Sequence, residues 1–330
     1  MTILVTGGCG YIGSHTVWAL ADRGETVVVL DNLSTGFDWA IPPEVTLVRG
    51  DIGDATLLDR IITTQGIDAI IHFAGSIIVP ESVVDPLAYY YNNTVKSRDL
   101  MAAAVRNGVE NFVFSSTAAV YGNPEVIPVP EDVPLRPVSP YGSSKLMTEI
   151  MLADTARAHD FRYAALRYFN VAGADPKGRT GQSTKGATHL IKVACEAHLG
   201  VRSEIQVFGT DYDTPDGTGV RDYIHVADLA EAHVLALGHL RATETSLVAN
   251  CGYGRGFSVL EVLAAVERVT GAKLPVTYGP RRLGDASSIV ARVDRIHEKL
   301  DWHPQWDDLD TIVGHALAWE KQLLTKNVHR

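Results

Sequence analysis

The sequence is short of cysteine, of positive charge and of long apolar runs. Its 330 residues hold three cysteines, Cys9, Cys195 and Cys251. They are scattered, odd in number and without metal-site spacing. That excludes a disulfide framework and fits buried thiols in a reducing compartment, so a cytoplasmic location and no metal are expected. Lysine and arginine number 29 against 39 aspartates and glutamates, a net charge of −10. Neither nucleic acid nor an anionic membrane is therefore an expected partner, and an anionic ligand must be met locally by arginines and backbone amides. The opening residues MTILVTGG carry no charged leader, and no apolar run is long enough to span a bilayer. No fixed-period repeat and no low-complexity segment is present.

What is there is an ordinary globular composition, 46% apolar and 21% charged, in a chain long enough for a substantial core. The first half alternates short apolar runs with amphipathic stretches. The runs are Ile3–Val5, "TVVVLD", "VTLVRGD", "DAIIHFAG", "NFVFSS" and "RYAALRYF". Runs without strict alternation predict strands covered on both faces, and strands alternating with helices predict a doubly wound, parallel α/β sheet. Around Phe169 the pattern changes to a long polar loop, "NVAGADPKGRTGQSTKG", and then to mixed short elements with a terminal helix from about Leu309. This predicts a nucleotide-binding domain over 1–170 and a smaller mixed substrate domain over 171–330. A segment near 220–250 is expected to return to the first.

Four glycines, Gly7, Gly8, Gly10 and Gly13, crowd the stretch "VTGGCGYIGSH". They follow a predicted strand and open a predicted helix, the context in which glycine lets a backbone approach a pyrophosphate at a helix N-terminus. Two registers fit, G-x-G-x-x-G from Gly8 and G-x-x-G-x-x-G from Gly7, and spacing leaves both open. Asp31 ends the next strand, 18 residues after Gly13. A carboxylate there accepts from an adenosine ribose diol and repels a 2′-phosphate, which favours NAD over NADP.

The chemistry is expected downstream. The fifth run ends in Ser115-Ser116-Thr117, and "SPYGSSK" then opens a helix with Tyr141 and Lys145 at i, i+4 on one face. A lysine beside a phenol favours the phenolate, so Lys145 is expected to bring the Tyr141 pKa down toward working pH. A tyrosine–lysine pair alone also describes a common surface contact. Its place after the glycine stretch and beside Thr117 is what points to catalysis.

Taken together, "VTGGCGYIGSH", "LDNLSTG", "GDI", "IHFAG", "FSSTAAVYG", "SPYGSSK", "LRYFNVAGA" and "GTGVRDYIHVADLAEAH" resemble the extended short-chain dehydrogenase/reductase family, a Rossmann-type fold. Within it they most resemble the UDP-glucose 4-epimerases, in unbroken order from Thr2 to about Trp302. The resemblance implies the register Gly7, Gly10, Gly13. It implies NAD as a tightly bound cofactor, held by those glycines with Tyr11, Ile12, Asp31, Asn32, Asp51, Ile52, Phe73, Ala74, Gly75, Asn92, Ser115, Tyr141, Lys145 and Tyr168. It implies Tyr141 as acid and base, Lys145 tuning it and Thr117 assisting at the sugar 4-hydroxyl. The UDP-sugar set is Thr117, Tyr141, Asn170, His189, Leu190, Phe208, Arg221, Arg282 and Asp285, with Ile289 aligned to the side chain bordering the sugar. The implied reaction interconverts UDP-glucose and UDP-galactose by transient oxidation at C4. The implied assembly is a homodimer through helices around 86–107 and 141–158.

Other readings remain beside it. One is an epimerase of another UDP-sugar, N-acetylated or pentose. Another is a non-catalytic NAD-binding regulator. A 4,6-dehydratase would need an acidic pair after Thr117, where Ala118-Ala119 stand. Departures from the family are Ile77 in place of a basic residue, Lys96 in place of a glycine, and no proline after Asp285.

Overall fold

The computed structural model describes residues 1–282 and 285–325; the last five residues of the expected second domain lie outside it. The strands among them are β1 (Thr2–Thr6), β2 (Thr26–Asp31), β3 (Thr46–Arg49), β4 (Ile67–His72), β5 (Asn111–Ser115), β6 (Arg162–Tyr168), β7 (Asn170–Ala172), β8 (Ile205–Phe208), β9 (Val220–His225), β10 (Leu247–Cys251), β11 (Gly256–Ser258), β12 (Val276–Gly279) and β13 (Ser288–Ile289). The α-helices are α1 (Tyr11–Ala21), α2 (Ala55–Gln65), α3 (Val79–Val84), α4 (Pro86–Tyr89), α5 (Lys96–Arg106), α6 (Pro140–Ala158), α7 (Leu190–His198), α8 (Val226–Thr243), α9 (Val259–Thr270), α10 (Asp294–Leu300) and α11 (Leu309–Thr325).

All six apolar runs of the first half are strands of one parallel sheet, in the order β10-β6-β5-β4-β1-β2-β3. Successive side chains of β1 feed opposite faces. Ile3 and Val5 join Val17, Leu20 and Leu237 under α1 and α8, while Leu4 joins Leu58, Leu100, Phe112 and Leu152 under α2, α5 and α6. Both faces are thus covered, which is why these runs are continuously apolar rather than alternating. The expected doubly wound α/β fold is observed. Strand order reverses between β1 and β4, and such a sheet offers its ligand crevice beyond the carboxyl ends at that point.

The seventh strand, β10, comes from far along the chain and pairs with β6. The remaining elements form smaller sheets: β8 with β12, and β11-β9-β13 with β7 on β9. They surround a separate core of Ile191, Val207, Tyr223, Leu263 and Val313. The polar stretch after Phe169 is not loop throughout, because its first three residues are β7. The rest is tied down: Ser14 Oγ lies 2.9 Å from Thr180 Oγ1, and the Trp319 indole donates to Ser183 Oγ at 3.2 Å.

Candidate active site

The glycine stretch leaves β1 and enters α1 beside the end of β4. Gly7 has φ +69°, and a Cβ on it would lie 2.5 Å from the Ala74 nitrogen, so only glycine fits. A Cβ on Gly13 would lie 2.2 Å from the Gly7 carbonyl oxygen, whereas one on Gly8 would press only on side-chain atoms of Val29 and Val17. Backbone walls therefore surround Gly7 and Gly13. Gly10 caps α1 with no side-chain acceptor, leaving first-turn N–H groups for a ligand. Phe73 and Ala74 both donate their N–H groups to the Thr6 carbonyl, which seats the end of β4 against the loop. Tyr11, the first residue of α1, sends its hydroxyl 2.7 Å to the Gly173 carbonyl, and Ile12 packs on the core.

Asp31 ends β2. Its carboxylate accepts from the N–H groups of Cys9 at 2.9 Å and Leu33 at 2.8 Å, tying the glycine loop to the strand end. The amide of Asn32 reaches Asp51 at 3.3 Å, and Lys96 reaches the same carboxylate at 2.6 Å. Burial opposes charge on Asp51, but the bonds from Lys96 and the Gly53 N–H outweigh it and hold the carboxyl below its usual range. Ile52 is buried beside it. A glycine cradle, a capless helix start and an acidic strand end together fit a dinucleotide.

Tyr141 and Lys145 are not a surface pair: they are 6% and 3% exposed. Ser139 caps α6 through the Gly142 N–H, and Pro140 occupies its first turn. A Cβ on Gly142 would lie 2.6 Å from the Ala119 carbonyl oxygen, so this helix start rests directly on the turn after Thr117. The Thr117 hydroxyl accepts from the Ala119 N–H at 3.1 Å, and it is buried with Tyr141. Lys145 donates to the Ser115 carbonyl at 3.0 Å and sits 4.7 Å from the Phe114 ring centroid. Tyr168, at the end of β6, is half-buried.

The electrostatics differ from the expectation. Burial pushes the Tyr141 phenol well up, Tyr168 adds to this, and Thr117 only partly opposes it. Lys145 is turned to a carbonyl and an aromatic face, and burial pushes it down to about 8. Burial therefore favours the neutral phenol over the phenolate.

Two asparagines secure this edge. Asn92 donates to the Ser76 hydroxyl at 2.9 Å. Asn93, which the sequence reading passed over, does more: its side chain accepts from the Ser76 N–H and donates to the Ser76 carbonyl and Ser144 Oγ. It holds the segment after β4 against α6, so that a Cβ on Gly75 would lie 3.8 Å from Lys145 Nζ. The doubled asparagine of "YYNN" was the available signal.

The remaining residues form a second group. His189 immediately precedes α7, and its ring lies 6.5 Å from that of Tyr11. Burial, with Lys192 nearby, pushes its pKa down. Leu190 is the first residue of α7. Phe208 ends β8, and the Arg282 guanidinium lies 3.8 Å from its ring centroid. Arg221 on β9 reaches Asp285 at 3.3 Å, and the Asp285 N–H donates to the Arg282 carbonyl, so the two arginines are linked through one aspartate. Asn170 on β7 is exposed and pairs with Tyr223. Ile289 on β13 pairs with Arg221 and packs against a cluster holding Ala118 and Phe169. It therefore bridges the arginine strand and the turn that carries Thr117.

Residues 3–252 match the NAD dependent epimerase/dehydratase family. The chain belongs to that family. Its likeness extends well past the matched stretch. The UDP-glucose 4-epimerase of Azospirillum brasilense is 60% identical over 321 residues, covering 97% of this chain and 92% of that protein. The crystal structure of UDP-glucose 4-epimerase from Brucella ovis in complex with NAD superposes with a TM-score of 0.93 at 45% identity, covering 96% of this chain and 97% of that one. The Bifidobacterium longum enzyme in complex with NAD+ and UDP gives a TM-score of 0.93 at 38% identity, covering 98% of each chain. The resemblance seen in the motifs is borne out along the whole family domain.

Proposed function

We propose that this protein interconverts UDP-glucose and UDP-galactose by transient oxidation at C4, with NAD bound throughout. The observation that carries this is the burial of Thr117, Tyr141 and Lys145 together, with the start of α6 seated on the turn after Thr117 and Lys145 bonded to the Ser115 carbonyl, at the carboxyl edge of the sheet that holds the glycine cradle. NAD, when bound, would supply a reversible hydride acceptor for C4. Gly7, Gly10 and Gly13 with the first turn of α1 would hold its pyrophosphate, and Asp31 and Asn32 its adenosine ribose. Tyr141 takes the proton of the sugar 4-hydroxyl and later returns it. Thr117 shares that proton, and Lys145 stabilises the phenolate. Arg221 and Arg282 grip the diphosphate, for which the guanidinium fork is suited, while Phe208, His189, Leu190 and Asn170 seat the rest of the nucleotide. A firm diphosphate and a loosely held sugar let the 4-keto intermediate present its other face.

In this reading residues 1–170, with the segment around 220–250, carry the cofactor, and the rest carries the UDP-sugar. The enzyme works in the cytoplasm as a homodimer. Support for the dimer is the exposed apolar row Leu87, Tyr91, Val95, Met147 and Ile150 on the helices expected to meet. No described helix is long and apolar enough to cross a membrane.

The test is a product assay without added cofactor, using UDP-hexoses, their N-acetylated forms and UDP-pentoses. UDP-galactose should give UDP-glucose, and denatured protein should release NAD. Absence of any C4-inverted product across the panel overturns the proposal.

A further inference from the structure

Behind the phenol–lysine pair runs a buried chain of polar groups that the reaction as described does not use. Glu149 lies on α6, one turn after Lys145 and two after Tyr141, and is buried. Its carboxylate accepts from Ser116 Oγ at 2.5 Å and from Arg167 Nε at 3.0 Å and Nη2 at 2.6 Å. Arg167, buried on β6, also donates to the Tyr121 hydroxyl and the Glu131 carbonyl. The Tyr121 hydroxyl donates in turn to Asn250, whose amide donates to the carbonyls of Val129 and Arg292.

An ion pair in such a place is poorly explained by stability, since apolar replacements of buried pairs are often neutral or better. What it supplies is position. Ser116 is the residue immediately before Thr117. One carboxylate therefore joins the helix that carries Tyr141, the strand end that carries Thr117, and β6 between them. The pair also sets local charge. Lys145 is faced by His72 on β4, by the Ser115 carbonyl and Phe114 ring on β5, and by Glu149 on its own helix. His72 is held neutral by burial, its pKa pushed down to about 3. Glu149 opposes the burial that pushes Lys145 down. Glu149 is faced in turn by Arg167, Ser116, Tyr121 and Tyr163.

We propose that Glu149 is a positioning residue for the epimerisation: through Ser116 it fixes the strand end that carries Thr117 against the helix that carries Tyr141, and its negative charge stands one helical turn from Lys145. The proposal rests on Thr117, Tyr141 and Lys145 being the reacting groups. Ser116→Ala removes one hydrogen bond and leaves the Glu149–Arg167 pair in place. Its kcat with UDP-galactose should fall about tenfold to a hundredfold, with KM and NAD content unchanged, as expected for a small misplacement of reacting groups. Glu149→Gln keeps the volume and an acceptor for Ser116 but removes the charge. The alkaline limb of its kcat profile should move to lower pH, because Lys145 then loses its proton more easily. Either a wild-type kcat in Ser116→Ala or an unmoved limb in folded Glu149→Gln overturns the proposal; if Glu149→Gln does not fold, Ser116→Ala decides alone. Tyr141→Phe, run beside them, separates the two levels. Full turnover there removes the site itself, whereas an inactive Tyr141→Phe beside unaffected partners removes only the role of Glu149.

Discussion

The Lys96 ammonium lies 2.6 Å from the Asp51 carboxylate and 5.4 Å from the Tyr91 ring centroid. The resemblance to the epimerases implies glycine at its position and a basic residue at that of Ile77, which is half exposed. Lys96 thus puts a positive charge beside Asp51, at the expected adenine end. Lys96→Ala should weaken NAD retention by about fivefold, the worth of a partly exposed ion pair of about 1 kcal/mol. Calorimetric titration of stripped protein with NAD measures this, and an unchanged affinity would show that Asp51 needs no help.

Tyr141→Phe keeps the ring and loses the proton-carrying oxygen. Turnover should drop by ~10²–10⁴-fold. Bound NAD should remain, because the glycine cradle and Asp31 lie elsewhere. Steady-state kinetics and the NAD content of the purified variant check both halves.

Asp31 should select the cofactor. Its carboxylate closes the end of β2, where a 2′-phosphate would meet a negative charge. NADP added to stripped protein should restore little activity. Equal reactivation by NAD and NADP would mean that Asp31 does not meet the ribose.

Ile289 should set sugar width. It is β-branched and stiff at χ1, and it offers no hydrogen bond to an acetamido group. The expected outcome is UDP-glucose and UDP-galactose as the main pair, with slower turnover of UDP-N-acetylglucosamine. Ile289→Tyr should suppress the acetylated activity and spare the other. A ratio of the two activities that stays constant in the variant would remove Ile289 as the gate.

His233 should make the fold acid-sensitive. It is buried on α8, with its ring 4.7 Å from Phe73, and burial pushes its pKa down to about 4. Below pH 6.5 the unfolded chain binds this proton and the folded chain does not. Stability from this residue is therefore complete above pH 6.5 and is lost as pH falls toward 4, by at most about 3 kcal/mol. His233→Leu should shrink the difference in Tm between pH 7 and pH 5, and an identical pH dependence in the variant would contradict it.

Much of this was legible in the chain. Six strands followed from apolar runs bounded by turns, and the cradle from glycines set between a strand and a helix. Asp31, Tyr141 and Lys145 stood at spacings that have chemical meaning. These signals are short-range: backbone sterics, strand and helix periodicity, and turn chemistry act within a few residues. Gly8 and Gly7 were equivalent in spacing, and the positive φ of Gly7 and the approach of Ala74 to it distinguish them. Tyr121 and Asn250 are 129 positions apart, and no local rule pairs them. The return of β10 to β6, the link between Arg221 and Arg282 through Asp285, and the Glu149 carboxylate shared by Ser116 and Arg167 have the same character. The rise of the Tyr141 pKa, opposite to what its lysine neighbour suggested, has it too. The sequence by itself determined which elements form and which groups could react. The tertiary structure decided which of those groups are buried and which charges face them, because burial and Coulomb interactions depend on distance in space and not on distance along the chain.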